Sequence, residues 1–138
     1  MTERIALKRI YAAPGADNGL RVLVDRIWPR GVRKADAKVD LWLREIAPSH
    51  ELRRWFAHEP ARWEAFRARY RDEIARVPEA VETLLAHCRA GTVTLLFAAR
   101  DGEHNNAVVL REVLLEELAE EARANEPASP VCYRGDDA

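Results

Sequence analysis

Two short polar segments, residues 24–31 and 100–106, contain the side chains best suited to chemistry. A carboxylate and an imidazole can transfer protons, so Asp25 and His104 are the candidate catalytic residues. Guanidinium, amide and indole groups bind anions or planar groups through charge, hydrogen bonds and stacking. The candidate ligand-binding residues of the two segments are Arg26, Trp28, Arg30, Arg100, Asn105 and Asn106. This set predicts a site for an anionic ligand.

A ninth candidate, His58, lies between these segments in the sequence and could join the site as a proton carrier or as a metal ligand. A metal site would combine His58 and His104 with Asp25 or Asp101. A lone histidine at a helix end is more often a cap, so this reading ranks third. No Walker loop, Gly-x-Gly-x-x-Gly, Gly-x-Ser-x-Gly or His-Glu-x-x-His motif occurs, and no cofactor is identified.

Each candidate also has a structural interpretation. Asp25 and Arg26 could pair with the opposite charges of the second segment and so close the ends of two strands. Asn105 or Asn106 could serve only to cap a helix. Trp28 could fold over the core and leave Arg30 at its rim. We favour the site because polar groups at this edge of a sheet are often functional.

Three apolar stretches predict strands: residues 5–11, 21–24 and 92–99. The second and third stop at charged residues. If these two strands are parallel, their carboxyl ends emerge at one edge and bring the polar segments together. The eight residues 12–19 are too few for a helical crossover, so the first two strands form a hairpin or lie apart in the sheet.

Helical patterns fill most of the remaining chain. Residues 40–77 predict several helices, one capped by Ser49 and the next opened by Pro60. A further helix begins at Pro78 and ends before Gly91, with Cys88 in the core. A last helix carries apolar residues from 107 to 118.

These elements predict an α/β fold, specifically a small Rossmann-like three-layer domain. Its mostly parallel sheet has a helical insert between the second and third strands, and ligands of such sheets bind beyond the strand carboxyl ends. Residues 1–124 are expected to form a single domain, and residues 125–138 a flexible tail.

The composition narrows the range of partners. Twenty-two basic residues nearly balance 23 acidic ones, which disfavours long nucleic acid and leaves only a local patch at Arg26, Arg30, Arg33 and Lys34. Two cysteines without metal spacing and no apolar run of membrane-spanning length predict a cytoplasmic protein that does not bind membranes. The oligomeric state is not predicted.

The block at residues 21–31, which ends in Trp-Pro-Arg-Gly, resembles the YeaO-like branch of the domain of unknown function 488 family. Residues 8–11 ahead of this block match as well, and further matching residues follow it in the same order at 48–49, 51–53, 55–56, 58, 66, 70, 95–99 and 103–105. The family has no established function. Cysteines of the wider family correspond to Phe97 and Asn105 here, and a second histidine of the branch corresponds to Asn106. The resemblance therefore implies neither thiol chemistry nor a His-Asn-His metal cluster.

Three functional hypotheses follow. The first is a small enzyme, a hydrolase or transferase, whose arginines hold a phosphorylated or nucleotide-like ligand, with Trp28 stacking and Asp25 or His104 moving protons. The second is a non-catalytic module that binds a nucleotide or nucleic-acid segment. The third is a metal-binding protein that uses His58 and His104.

Overall fold

Four parallel strands form the centre of the protein. The computed structural model describes residues 5–13, 15 and 19–125. The strands are β1 (Ile5–Arg9), β2 (Leu20–Leu23), β3 (Leu41–Trp42) and β4 (Val93–Phe97), in the spatial order β1-β4-β2-β3. Every pairing is parallel. The predicted α/β class is thus confirmed.

Strand β4 lies between β1 and β2 and aligns their ends. Val93 is the register partner of both Ile5 and Leu20, so all three strands run to the same edge. The predicted parallel arrangement of the second and third predicted strands is confirmed. The first two strands lie apart, since β4 separates them, and they form no hairpin.

Strand side chains alternate between two buried clusters, one on each face of the sheet. Val22 and Leu95 belong to the larger cluster, and their neighbours Leu23 and Leu96 to the smaller one. This alternation explains why these strands are apolar throughout. The larger cluster also contains residues of α2 (His50–Phe56), α3 (Trp63–Ala75), α4 (Pro78–Ala90) and α5 (Asn106–Ala124).

The helix boundaries follow local capping chemistry. Ser49 accepts a hydrogen bond from the Leu52 N–H at 3.1 Å, Pro78 is the first residue of α4, and Gly91 follows its end. These predictions are confirmed, as is the burial of Cys88. In the described part of the chain, no helix is both long enough and apolar enough to cross a membrane.

The helical prediction is wrong at the start of its range. Leu41 and Trp42 form β3, Arg44–Ile46 is a 3₁₀ turn, and Pro60 opens a second 3₁₀ turn ahead of α3. The Leu43 N–H donates to the Leu23 carbonyl at 2.9 Å, so pairing with β2 overrides the local periodicity. A short helix, α1 (Lys34–Ala37), is an addition. The predicted tail lies outside the described residues from 126 onward.

Candidate functional site

A cleft of about 840 Å³ opens at the carboxyl edge of the sheet. Its walls come from the segments after β1, β2 and β4, from α2 and from the start of α5. All nine residues proposed from the sequence line it: Asp25, Arg26, Trp28, Arg30, His58, Arg100, His104, Asn105 and Asn106. The topology therefore places both polar segments and His58 around one cavity.

Asp25 joins three elements at the floor of the cleft. Its Oδ2 accepts the Ala98 N–H at 2.9 Å, and its Oδ1 accepts the Asn106 amide at 3.2 Å. Burial raises the pKa of Asp25, and these two hydrogen bonds and the charge of Arg53 oppose that shift in part. Both carboxylate oxygens are thus engaged by protein donors.

Arg26 is held by the backbone rather than by an acidic partner. Its Nε donates to the Pro48 carbonyl at 3.1 Å and its Nη2 to the Ala47 carbonyl at 3.0 Å. Within the described ranges, neither Asp25 nor Arg26 forms an ion pair with Arg100 or Asp101. The alternative in which these four charges close the strand ends is therefore wrong.

The Trp28 side chain is held by contacts with neighbouring residues of the protein. Its Nε1 donates to the Val32 carbonyl at 2.7 Å, and its ring meets Trp42 edge-on at 5.4 Å between centroids. The ring also packs against the smaller buried cluster. Trp28 therefore forms a fixed wall of the cleft, as its structural interpretation predicts.

Asp101 orients His104. Asp101 Oδ2 lies 2.8 Å from the His104 Nδ1, while Oδ1 accepts the Glu103 and His104 N–H groups at 2.9 and 3.1 Å. The bond from Glu103 and then the His104 ring hold the pKa of Asp101 below its ordinary value. Within the described ranges no hydrogen bond to the His104 Nε2 is found, and the ring packs edge-on against that of Trp63 at 5.1 Å between centroids.

The two asparagines stabilise the start of α5. Asn105 Oδ1 accepts the Val108 N–H at 3.1 Å, and its Nδ2 donates to the Asp101 carbonyl at 2.8 Å. Asn106 Nδ2 donates to the Val24 carbonyl at 3.0 Å as well as to Asp25. Asn105 is a helix cap, and Asn106 ties α5 to the end of β2.

His58 reaches the cleft through an unusual turn. Ala57 and His58 both have positive φ, 47° and 58°, a conformation that costs L-residues energy. The His58 ring lies 6.0 Å from that of Phe56. Among the described residues, no group of three or more His, Cys, Asp or Glu side chains could hold a metal ion, so the His58–His104 metal hypothesis gains no support.

Arginines dominate the charge of the cleft. Among the described residues, the acidic side chains of its lining are Asp25 and Asp101. Six arginines line it: Arg9, Arg26, Arg30, Arg53, Arg54 and Arg100. None of the six forms an ion pair with a described carboxylate. This local excess of positive charge stands in a chain whose net charge is −1.

Sequence reasoning missed several cleft residues. Arg9 is the last residue of β1 and Tyr11 lies just beyond it, whereas His50, Arg53 and Arg54 lie on α2. A signal for the second group exists, because positions 50, 53 and 54 share one face of a helix and the apolar Leu52 and Phe56 share another. No local signal marks Arg9 and Tyr11, which reach the cleft because β1 pairs with β4.

Comparisons with known proteins identify relatives of this chain. An uncharacterised protein of Mycobacterium tuberculosis is 40% identical over 111 residues, which cover 80% of this chain and 93% of the relative. The uncharacterised protein YeaO of Escherichia coli is 38% identical over 110 residues, which cover 80% of this chain and 96% of YeaO. No solved structure matches. The family model described as the inactive DUF488-N3 subclade matches residues 4–134, and the chain therefore belongs to the DUF488 family.

Proposed function

We propose that this protein binds a phosphorylated, nucleotide-like anion in the cleft and does not turn it over. The observation that carries this proposal is the set of six cleft arginines, none of which forms an ion pair with a carboxylate of the described residues. Guanidinium groups bind phosphate through paired, charge-assisted hydrogen bonds. A bound anion would offset the repulsion among these like charges.

The clustering of the arginines supports an anion site in the cleft, because electrostatic attraction at physiological salt acts only over short distances. Charges separated by more than about 8 Å are largely screened at physiological salt. A nearly neutral protein therefore attracts an anion only where its cations cluster. The cleft is such a place, and it lies where open α/β sheets commonly bind ligands.

Two observations favour binding without turnover. Both oxygens of Asp25 are occupied, and the described lining of the cleft contains no serine, threonine, cysteine or lysine that could act as nucleophile. The description of the matching subclade as inactive points the same way. We extend this property to the present chain as part of the proposal.

A hydrolase or transferase is the second candidate, and the Asp101–His104 pair favours it. A carboxylate that orients an imidazole is a common arrangement for a general base. His104 could activate water against a ligand held by the arginines. Release of inorganic phosphate from a bound nucleotide at a rate that falls in His104→Ala would replace our first proposal with this one.

A proposal about the fold agrees with a ligand site in the cleft. We propose that residues 1–124 form one Rossmann-like three-layer domain, because the sheet carries a buried cluster on each face. In this proposal the segment between β2 and β4 is an insert that brings α2 to the cleft.

Long nucleic acid is not favoured as a partner because the whole chain has little net charge.

Pyrophosphate is a suitable first probe. A ligand at about 100 times its Kd stabilises the folded state by about 2.7 kcal/mol, which raises Tm by several degrees. The single variants Arg54→Ala and Arg100→Ala each remove one exposed cleft cation and should each lose a large part of this shift. Arg76→Ala, an exposed arginine outside the cleft, makes the same type of change and should keep it.

The control decides between outcomes. An equal loss in Arg76→Ala would show that total charge, and not the cleft, governs binding. No shift of the unsubstituted protein with pyrophosphate or with adenosine diphosphate would reject the proposal. Calorimetric titration at two salt concentrations should show weaker binding at the higher one.

A further inference from the structure

The cleft has an apolar rim that anion binding alone does not use. Two large hydrophobic side chains stay exposed among residues 5–13, 15 and 19–125, Tyr11 at 46% and Ile27 at 58%. Both line this cleft. Single exposed apolar residues are common on protein surfaces, but two at the mouth of one charged cleft form a contact surface for an apolar group.

Tyr11 is fixed before any ligand arrives. Its hydroxyl donates to the Arg30 carbonyl at 2.9 Å, and the Arg9 Cζ lies 4.5 Å from the ring centroid. Arg9 is itself anchored, since its Nε donates to the Ala98 carbonyl at 3.1 Å. An ordered aromatic ring loses little conformational entropy when a planar group stacks on it. Tyr11 thus presents an ordered ring to the cleft, and we call this ring, together with the exposed Ile27 of the same lining, the Tyr11–Ile27 platform.

The size of the cleft argues against a small inorganic anion. Cavities of about 300–1,000 Å³ hold ligands of drug size, and this one measures about 840 Å³. A phosphate or pyrophosphate ion would leave much of it filled with water. A ligand that has both a planar part and several negative charges would use the platform and the arginines together.

We infer that the ligand is a nucleoside diphosphate or a larger nucleotide, with its base on the Tyr11–Ile27 platform and its phosphates among the cleft arginines. This inference rests on the proposed function and narrows it. The base stacks on the Tyr11 ring, and Ile27 contacts its edge. More than one phosphate matches the excess of arginines over Asp25 and Asp101.

Calorimetric titration with two probes separates the platform from the arginines. Adenosine diphosphate should bind at least tenfold more tightly than pyrophosphate, because stacking adds to the same phosphate contacts. Tyr11→Ala and Ile27→Ser should each remove most of this gain, and Ile27→Ser should leave the pyrophosphate Kd unchanged. Tyr11→Phe retains the ring and should keep most of the gain. Uridine diphosphate repeats the test with a second base.

Each remaining outcome is decisive. Equal affinity for pyrophosphate and both nucleotides, with no effect of the rim substitutions, overturns the inference and leaves the proposed anion site standing. A loss of pyrophosphate binding in Tyr11→Ala equal to the loss of nucleotide binding also overturns it, since Tyr11 would then act only by supporting Arg9. Failure of every probe rejects the proposed function itself. Circular dichroism of each variant verifies its fold.

Discussion

The Asn106 amide donates to the Asp25 carboxylate at 3.2 Å across 81 positions of sequence. The other oxygen of that carboxylate accepts the Ala98 N–H, so one side chain joins the end of β2, the end of β4 and the start of α5. The floor of the cleft is therefore set by a structural hydrogen-bond network, and the groups left to meet a ligand stand around it.

Asp25→Asn should lower the free energy of unfolding by about 1 to 3 kcal/mol. Two N–H donors face Asp25, and an asparagine can offer an oxygen to only one of them. Chemical denaturation with urea measures the change. Asp36→Asn, which alters an exposed residue paired with Arg33 at 3.5 Å, is the matched control and should change stability by less than about 0.5 kcal/mol.

The pH dependence of this effect has a defined sign. Desolvation raises the pKa of folded Asp25 above its unfolded value of about 3.9. Its contribution to stability is therefore complete below that value and is lost as pH rises through the folded pKa. The unfolding free energy of the unsubstituted protein minus that of Asp25→Asn should fall from about pH 4 upward. A difference that grows with pH would contradict this assignment.

Tyr70→Phe should destabilise the protein by about 2 kcal/mol. The Tyr70 hydroxyl is fully buried and donates to the Ile46 carbonyl at 2.6 Å, so its removal leaves a buried acceptor without a partner. Thermal and urea unfolding measure the loss. Tyr11→Phe removes an exposed hydroxyl and should have little effect; comparable losses in both variants would show that burial does not decide the cost.

Asn105→Ala should cost about 1 to 2 kcal/mol, because it removes the cap of α5. It also removes the bond to the Asp101 carbonyl, which supports the loop that carries His104. Asn125→Ala, at the other end of the same helix, is the control and should be nearly neutral. If Asn105→Ala has the same free energy of unfolding as the unsubstituted protein, the side-chain cap does not stabilise the start of α5.

Much of the site could be predicted because it depends on local patterns. Residues 92–99 are apolar and stop at Arg100, which predicts a buried strand with a polar end. The end of the second strand has the same character. Once both strands are taken as parallel, the convergence of Asp25 and His104 follows from geometry alone.

What the sequence by itself determined was the set of elements with strong local signals: β4, the amphipathic helices and the cap at Ser49, whereas only the structure decided between Asn105 and Asn106 as the cap of α5. Only the tertiary structure decided the partners of those elements. Strand β3 forms because the backbone of residues 41–43 pairs with β2. Arg9 and Tyr11 line the cleft because β1 pairs with β4, on the side of β4 opposite to β2. The physical reason is that pairing between strands far apart in the sequence depends on which segment lies beside each strand, and a local sequence pattern does not predict that neighbour.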